Sequence, residues 1–181
     1  MRVISGIARG RRLKELPGLD TRPTTDTVKE SIFNIIQFDI EGRNVLDLFG
    51  GSGQLTVEAL SRGADRATVV EKNPAAVRII RENVAACGFT GQVRLLPSDA
   101  RVFLSGCREK FDLIFLDPPY AGALLEQALT AIAEIDIVSE NGIIVCESSL
   151  EKQLPELPDP YTKGREYRYG KIKVTLYHRK A

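Results

Sequence analysis

The sequence predicts an α/β fold built around one mostly parallel β-sheet with helices on both faces. From residue 44 onward, short apolar runs alternate with segments of helical periodicity, which is the pattern of a parallel sheet. These runs are continuously apolar, as expected of strands that are buried on both faces. The chain has 181 residues, of which 43% are hydrophobic and 27% charged, so we expect a single domain that spans residues 1–181.

Residues 1–40 are predicted to form an extension that precedes the core at residues 41–181. The first part, residues 1–21, has the turn glycines of a short β-rich arm. Residues 22–26 (RPTTD) predict a turn. The helix after this turn should begin with a capping box, because Thr27 and Glu30 have the required spacing, and its apolar face should contain Val28, Ile32, Ile35 and Ile36.

The core should contain five parallel strands and a C-terminal hairpin, which makes seven strands in all. The parallel strands are predicted at residues 45–49, 67–71, 93–96, 113–117 and 143–147, and the accompanying helices at 53–63, 74–87, 99–107 and 122–136. Residues 166–169 and 171–178, on either side of Gly170, predict a hairpin that adds antiparallel strands to the sheet. The second hairpin strand alternates in character, so we expect one of its faces to be wet and basic.

Composition argues against several classes of function. No apolar run approaches the ~20 residues of a membrane span, and the N-terminus lacks the apolar core of a signal peptide, so we expect a cytoplasmic protein. Cys87, Cys107 and Cys146 are odd in number and widely spaced, which indicates reduced thiols in or near the core and no zinc site. His178 is the only histidine, which argues against histidine metal sites and Ser-His-Asp catalysis. We expect a monomer without a metal.

The net charge of +1 conceals basic ends on an acidic body. Residues 1–14 carry five basic side chains and no acid, and residues 163–180 carry seven against one acid, which leaves the stretch between them at a net charge of −10. If both ends lie on one face of the protein, they form an edge that faces a polyanion. The alternative is that terminal Lys and Arg residues merely keep the chain soluble.

The first candidate for ligand binding is a strand that runs into a glycine turn and then a helix, at residues 45–53 (VLDLFGGSG). Ligands of such sheets bind at the carboxyl ends of the strands, where glycines allow close approach and a helix N-terminus favours an anion. The third glycine of a dinucleotide motif is missing, which weakens a pyrophosphate interpretation. S-adenosylmethionine fits better, because Asp47 at the strand end can face its cationic part. A plain tight turn is the alternative.

Three more acids stand where predicted strands end, namely Glu71, Asp99 and Asp117. Glu71 either accepts the two ribose hydroxyls of a nucleoside or is a solvated strand-end acid. Asp99 is expected to cap the next helix, to accept the amino group of an adenine, or both. Because the carboxyl ends of parallel strands meet at one edge of a sheet, we expect these three acids and Asp47 to line one rim.

The tetrapeptide Asp117-Pro118-Pro119-Tyr120 directly follows an apolar strand and has the chemistry needed for transfer to a planar amine. Asp117 can accept one N–H, backbone carbonyls freed from the strand ladder can accept another, and Tyr120 can stack on the ring that carries the amine. The tetrapeptide alone suits a guanine and an adenine amine equally well.

Together these motifs resemble those of the class I S-adenosylmethionine-dependent methyltransferases, and most closely the RsmD family of bacterial 16S ribosomal RNA guanine-N2 methyltransferases. The resemblance covers almost the whole chain, and it rests on Glu71 and on residues 2–6, 8–11, 22–26, 28–36, 47–53, 58–64 and 117–120. The sequence departs from the family at Gly51, where alanine is usual, and at Gln54, where a small residue is common.

The resemblance implies a Rossmann-like class I methyltransferase fold, S-adenosylmethionine as the cofactor, and methyl transfer to the exocyclic N2 of a guanine in 16S rRNA. Catalysis would rest on Asp117, Pro118 and Tyr120. The residues expected to bind the donor are Asp47, Phe49, Gly50, Gly51, Gly53, Glu71, Lys72, Asp99, Ala100 and Asp117. Those expected to bind RNA are Arg9, Arg11, Arg12, Arg22, Thr24, Pro119, Tyr120, Arg165, Arg168 and Lys171.

The resemblance also implies that the small ribosomal subunit, or an assembly intermediate of it, is the partner, and that residues 1–40 bind RNA and form a lid over the donor. The alternative for the helix that follows Arg22 is that it simply packs against the sheet. The alternative function is a DNA adenine-N6 methyltransferase, although those enzymes usually carry a separate target-recognition domain. A non-catalytic RNA-binding module that has kept the fold is a further alternative, which binding of S-adenosylmethionine would exclude.

Overall fold

The computed structural model describes residues 1–17, 25–119 and 122–181, and in it the predicted seven-stranded sheet is confirmed. The strands are β1 Asn44–Asp47, β2 Arg66–Val70, β3 Val93–Leu96, β4 Phe111–Leu116, β5 Val138–Ser149, β6 Tyr161–Tyr169 and β7 Ile172–Arg179. Their order across the sheet is β3-β2-β1-β4-β5-β7-β6. The first five strands in this order are parallel, and β7 runs antiparallel to both β5 and β6. The order reverses at β1, and β1 and β4 meet at this switch point, where ligands of open α/β sheets bind.

Within the described residues, five α-helices cover the two faces of the sheet. They are α1 Asp26–Ile35, α2 Gln54–Ser61, α3 Pro74–Ala86, α4 Ala100–Gly106 and α5 Leu124–Ile135. Helices α1, α2 and α3 pack in one apolar cluster, and α4 and α5 pack in the other. Alternate residues of β4 belong to opposite clusters: Phe115 faces α1, whereas Leu116 faces α5. No helix in the described residues is long and apolar enough to cross a membrane.

The predicted β-rich arm is reduced, within residues 1–17, to one antiparallel bridge between Arg2 and Arg12. Backbone hydrogen bonds from Val3 N to Arg11 O and from Gly10 N to Val3 O, each of 2.9 Å, close this small loop. Val3 and Leu13 bury their side chains in the same cluster as α1, α2 and α3. The arm is therefore packed onto the core through a few apolar anchors.

A buried carboxylate, Glu58 of α2, fastens this arm to the core. Its two oxygens accept the backbone N–H groups of Ile4 at 2.9 Å and Ser5 at 3.0 Å. The ammonium of Lys29, from α1, lies 3.6 Å from the carboxylate and donates to the carbonyl of Arg2 at 2.7 Å. Burial lowers the pKa of Lys29, although the charge of Glu58 opposes this shift. One ion pair thus joins the arm, α1 and α2.

Two local predictions are wrong. Thr25, and not Thr27, caps α1: its hydroxyl accepts the N–H of Val28 at 3.2 Å, so the helix begins two residues before the predicted capping box. The expected wet, basic face of the last strand is also absent, because β7 lies between β5 and β6 and buries Lys173. The Lys173 ammonium lies 3.5 Å from Glu166 and donates to the carbonyl of Lys152, which satisfies the buried charge.

Candidate active site

The four strand-end acids lie at one edge of the sheet. Asp47 is the last residue of β1, and Glu71 and Asp117 directly follow β2 and β4. Asp99 follows β3 and immediately precedes α4. Because β1 to β4 are parallel neighbours, this places all four acids at the carboxyl ends of the strands, as the sequence predicted.

Asp47 is almost fully buried at the switch point. Its Oδ2 accepts a 2.8 Å hydrogen bond from the hydroxyl of Thr56 on α2, whereas its Oδ1 has no hydrogen-bond partner among the described residues. Burial raises the pKa of Asp47 to about 7, the Thr56 hydrogen bond opposes this, and the charge of Glu71 adds to it. A buried acceptor without a partner fits the cationic amino acid part of S-adenosylmethionine.

The affinity for S-adenosylhomocysteine is expected to rise with pH through the pKa of Asp47. In the ligand-free protein the raised pKa means that the folded state binds more protons than the unfolded chain between the ordinary aspartate pKa and about 7, so stability falls as pH rises through this interval. A ligand ammonium beside Asp47 would favour the ionised carboxylate, so binding should weaken by up to about tenfold per pH unit below about 7. Calorimetry from about pH 5.5 to about 8.5 measures this. Asp47→Asn should bind weakly at all pH values, and a flat wild-type profile would contradict the assignment.

The glycine turn between β1 and α2 brings backbone N–H groups to this edge. Gly53 caps α2 in the left-handed conformation with φ of 80°, and Gly51 has φ of 59°. The N–H of Gly51 donates to Oε1 of Glu71 at 2.9 Å, which ties the turn to the end of β2. Gly50 is needed for close packing, since a Cβ there would lie 2.5 Å from Cγ1 of Val69 and 2.9 Å from Cδ1 of Ile80.

Two substitutions in this turn are expected to differ sharply in their effect on donor binding. Gly50→Val must displace Val69 or Ile80, and such overpacking costs about 1–3 kcal/mol, so we expect the affinity for S-adenosylhomocysteine to weaken by about five- to 150-fold. Gly51→Ala places its methyl group where no heavy atom of the described residues lies within 4 Å, so the only cost is the positive φ. The free and the ligand-bound turn carry this strain alike, so the affinity should fall by less than about fivefold. Titration calorimetry of both variants tests this contrast, and equal losses would contradict it.

Glu71 is held in place by the backbone. Besides Gly51, the N–H of Asn73 donates to its Oε2 at 2.8 Å, and each oxygen keeps a further acceptor position for a ribose hydroxyl. Lys72 beside it is exposed, and Phe49 in the glycine turn is half-buried. Their roles in donor binding stay predictions.

Asp99 caps α4, as the sequence predicted as one of its two roles. Its Oδ1 accepts the N–H of Arg101 at 2.8 Å, and this hydrogen bond holds the pKa of Asp99 below its usual range. Ala100 is the first residue of α4 and is half-buried. Acceptance of an adenine amino group by Asp99 stays a prediction, and its cap geometry is compatible with that role.

The Asp-Pro-Pro motif begins where β4 ends. Asp117 is half-buried, Pro118 is buried and Pro119 is exposed, and the preceding strand is paired to β1 on one side and β5 on the other. Pro118 and Pro119 line a small cavity together with Ser148 and Ser149 at the end of β5. Asp117 is therefore adjacent to the donor edge. Tyr120, expected to stack on the base, lies outside the described residues.

The basic residues expected to bind RNA are exposed wherever they are described: Arg9, Arg11, Arg12, Arg165, Arg168 and Lys171. Arg165 stacks over the ring of Tyr167, with 5.2 Å between its guanidinium carbon and the ring centroid. Arg22 and Thr24 lie outside the described residues. Phosphate contacts by these residues stay predictions.

Two polar residues that support this edge were missed in the sequence. Thr56 positions Asp47, and Asn83 of α3 donates to the carbonyl of Ser52 in the glycine turn at 2.8 Å. The signal for Asn83 was available, because it stands beside Ile80 and Val84 on the apolar face of its helix. A polar residue on such a face needs a buried partner.

A sheet of this order, a glycine turn at its switch point and acids at four strand ends define a class I S-adenosylmethionine-dependent methyltransferase. The family model described as Conserved hypothetical protein 95 matches residues 1–178. The chain belongs to this family, the RsmD family of methyltransferases.

Known relatives are similar to this protein over nearly the whole length of its chain. The Bacillus subtilis protein YlbH is 40% identical and covers 99% of this chain and 100% of its own length. Ribosomal RNA small subunit methyltransferase D of Escherichia coli strain K12 is 36% identical and covers 100% of this chain and 91% of its own length. The solved structure of yhhF from Escherichia coli superposes with a TM-score of 0.90 at 34% identity, covering 100% of this chain and 98% of that one.

Proposed function

We propose that this enzyme transfers a methyl group from S-adenosylmethionine to the exocyclic N2 of a guanine in the RNA of the small ribosomal subunit. The observation that carries the proposal is the position of Asp117 and Pro118 directly after β4, whose residue Phe115 pairs with the buried Asp47 at the end of the neighbouring β1. The name of the Escherichia coli relative, a small subunit rRNA methyltransferase, supports the RNA substrate. The DNA adenine alternative has no comparable support.

Bound S-adenosylmethionine would supply an activated methyl group. Asp47 and the glycine turn would hold its amino acid part, and Glu71 would hold its ribose. Asp99 and Ala100 would contact the adenine. Lys72 and Phe49 would complete the donor site from the ends of β2 and β1.

On this proposal, Asp117 and the carbonyl of Pro118 accept the two N–H bonds of the guanine N2. The lone pair of this nitrogen is delocalised into the ring, and the two acceptors align it with the methyl group. The Asp117 carboxylate then stabilises the positive charge that develops on the nitrogen. Tyr120 would stack on the base, with Pro119 beside it, which requires an unpaired or flipped guanine.

The exposed arginines and lysines of both chain ends would bind phosphates. Arg9, Arg11 and Arg12 lie on the N-terminal arm, and Arg165, Arg168 and Lys171 lie on β6 and the turn after it. Contacts of this kind carry little sequence information, so the shape of the ribosomal particle would select the guanine. Arg22 and Thr24 would add to the target site, whereas the helix that follows, α1, packs against the sheet through Ile32 and Phe33 and would support the site from there.

Methyl transfer from tritiated S-adenosylmethionine tests this function. The substrates are free 16S rRNA and 30S particles from a strain that lacks the gene, followed by digestion to nucleosides. We expect N2-methylguanosine. N6-methyladenosine as the product, or methylation of DNA in preference to rRNA, would overturn the proposal.

Lys152 is expected to position the loop that follows Asp117. Its ammonium donates to the carbonyl of Gly122 at 2.8 Å and lies 3.0 Å from Glu126 in the first turn of α5. Lys152→Met removes both contacts, so kcat should fall about tenfold while the affinity for S-adenosylhomocysteine stays the same. Lys152→Arg should restore most of the rate, because it keeps the charge and the donors. Single-turnover kinetics measure the rates of the two variants, and calorimetry with S-adenosylhomocysteine measures their donor affinity. A loss of donor affinity that matches the loss of rate would indicate a general structural role instead.

A further inference from the structure

We propose that Asn83 couples the glycine turn between β1 and α2, called the donor turn below, to the N-terminal arm at residues 1–17. Binding of a ligand in the donor site would then order the arm. The inference concerns this chain's own contacts, and its consequence for RNA rests on the proposed function. It assigns a positioning role to a residue that touches neither donor nor RNA.

The side chain of Asn83 is buried between two functional elements and satisfies both. Its Oδ1 accepts the N–H of Lys14 at 2.8 Å. Its Nδ2 donates to the carbonyl of Lys14 at 3.0 Å and to the carbonyl of Ser52 at 2.8 Å. An asparagine amide can form four hydrogen bonds, and three of them are used here. The amide therefore holds one residue of the arm by both of its backbone groups and one residue of the donor turn.

Ser52 is the residue of the turn that lies between the two left-handed glycines, Gly51 and Gly53. Glu71 holds the turn from one side through the N–H of Gly51, and Asn83 holds it from the other through the carbonyl of Ser52. A ligand that fixes the backbone of this turn consequently fixes the partner of Asn83. The same amide then restrains Lys14.

The other polar contacts between the described part of the arm and the core lie nearer its start, within residues 2–8, and are made by Glu58, Lys29 and Ser61. The side chain of Lys14 contributes little to holding the arm, because both side chains of its ion pair with Glu82, at 2.9 Å, are exposed to solvent. Beside the apolar anchor Leu13, the polar attachment of the arm near Lys14 thus rests on the backbone of that residue and on Asn83. Coupling is reciprocal, so an arm that is held in place also favours the binding-competent turn.

Hydrogen exchange of the arm, with and without S-adenosylhomocysteine, tests the coupling without any RNA. In the wild-type protein we expect the ligand to slow exchange of the amides of residues 10–14, and of Lys14 most of all. Asn83→Asp keeps the acceptor for Lys14 but loses both donated hydrogen bonds and sets a negative charge against two carbonyls. Its affinity for the ligand should fall about five- to twentyfold, and the ligand should no longer protect the arm.

Glu82→Gln is the matched control, because it removes the exposed ion pair of Lys14 and leaves Asn83 intact. It should keep the full protection. Thermal melting checks that Asn83→Asp is folded, and Asn83→Ala, which adds no charge, replaces it if it is not. The coupling is refuted if the ligand leaves the wild-type arm unchanged, or if the folded Asn83 variant still shows wild-type protection.

The readouts separate this coupling from the proposed function. If the ligand protects the amides of the arm from hydrogen exchange but the enzyme does not methylate rRNA, only the proposed function is refuted. If the enzyme methylates rRNA but the ligand does not protect the arm from hydrogen exchange, only the coupling is refuted. With both intact, S-adenosylhomocysteine should also tighten the binding of 30S particles by the wild-type enzyme, and Asn83→Asp should reduce this effect to near zero.

Discussion

Replacement of Asp117 by alanine is expected to lower kcat for methyl transfer by at least about a hundredfold and to change the affinity for S-adenosylhomocysteine by less than about threefold. The carboxylate on the proposed pathway meets charge that develops only as the methyl group is transferred. Its loss therefore raises the barrier, whereas the contacts to the donor that are expected from Asp47, the glycine turn and Glu71 all remain, so the part that Asp117 itself has in donor binding should be small. Asp117 lies after β4, beside rather than within the glycine turn, which is why the two effects should separate.

Single-turnover methylation of 30S particles and calorimetry with S-adenosylhomocysteine measure the two quantities. Glu71→Gln is the matched variant with the opposite expectation: donor affinity should fall about tenfold, because the amide is a poorer acceptor for ribose hydroxyls and for the N–H groups of Gly51 and Asn73. Its kcat at saturating donor should change little. Wild-type turnover by Asp117→Ala would remove Asp117 from the mechanism.

Glu58→Ala is expected to be the most destabilising single substitution outside the apolar core. It leaves the fully buried ammonium of Lys29 without its buried ion-pair partner, with only the exposed Asp26 at 4.0 Å, and removes the acceptors of the N–H groups of Ile4 and Ser5. Breaking a buried pair in this way costs about 3–5 kcal/mol. For a chain of this size the melting temperature should fall by about 10 °C.

Thermal unfolding measures the loss, and limited proteolysis shows whether residues 1–17 detach first. Glu82→Ala is the control, since its ion pair with Lys14 is exposed and should contribute at most about 1 kcal/mol. Lys29→Met should cost less than Glu58→Ala, because Arg62 still donates to Glu58 at 2.9 Å. Equal melting temperatures for Glu58→Ala and the control would show that the arm does not depend on this anchor.

The parallel part of the sheet was predictable because each of its strands contains a continuous apolar run in the sequence. The acids Asp47, Glu71 and Asp117 were predictable for the same reason, since the end of a parallel strand is also a position in space. Strand extent was less accessible. The sequence predicted a strand at residues 143–147, whereas β5 spans Val138–Ser149. The prediction was too short at its start because residues 139–142 contain no apolar side chain.

The environment of the last strand could not be predicted from its own pattern. Alternation in residues 171–177 is compatible with an edge strand or an interior one, and only the strand order places β7 between β5 and β6. That position is what buries Lys173. The apolar face of α3 indicated that Asn83 is buried, but the partners of Asn83 and Thr56 could not be identified. These contacts join segments whose proximity follows from the folded chain and not from spacing in the sequence.

The position of β7 also constrains how the protein reaches its native state. Until β7 docks, β5 presents an unpaired, largely apolar edge, the kind of surface that recruits other chains. β6 and β7 are joined by a tight turn and can pair with each other early, but their docking onto β5 is a long-range step, and such steps are slow. We expect this docking to limit the rate of folding. Variants that weaken the pairing between β5 and β7 should therefore aggregate during refolding, even when the folded enzyme is fully active.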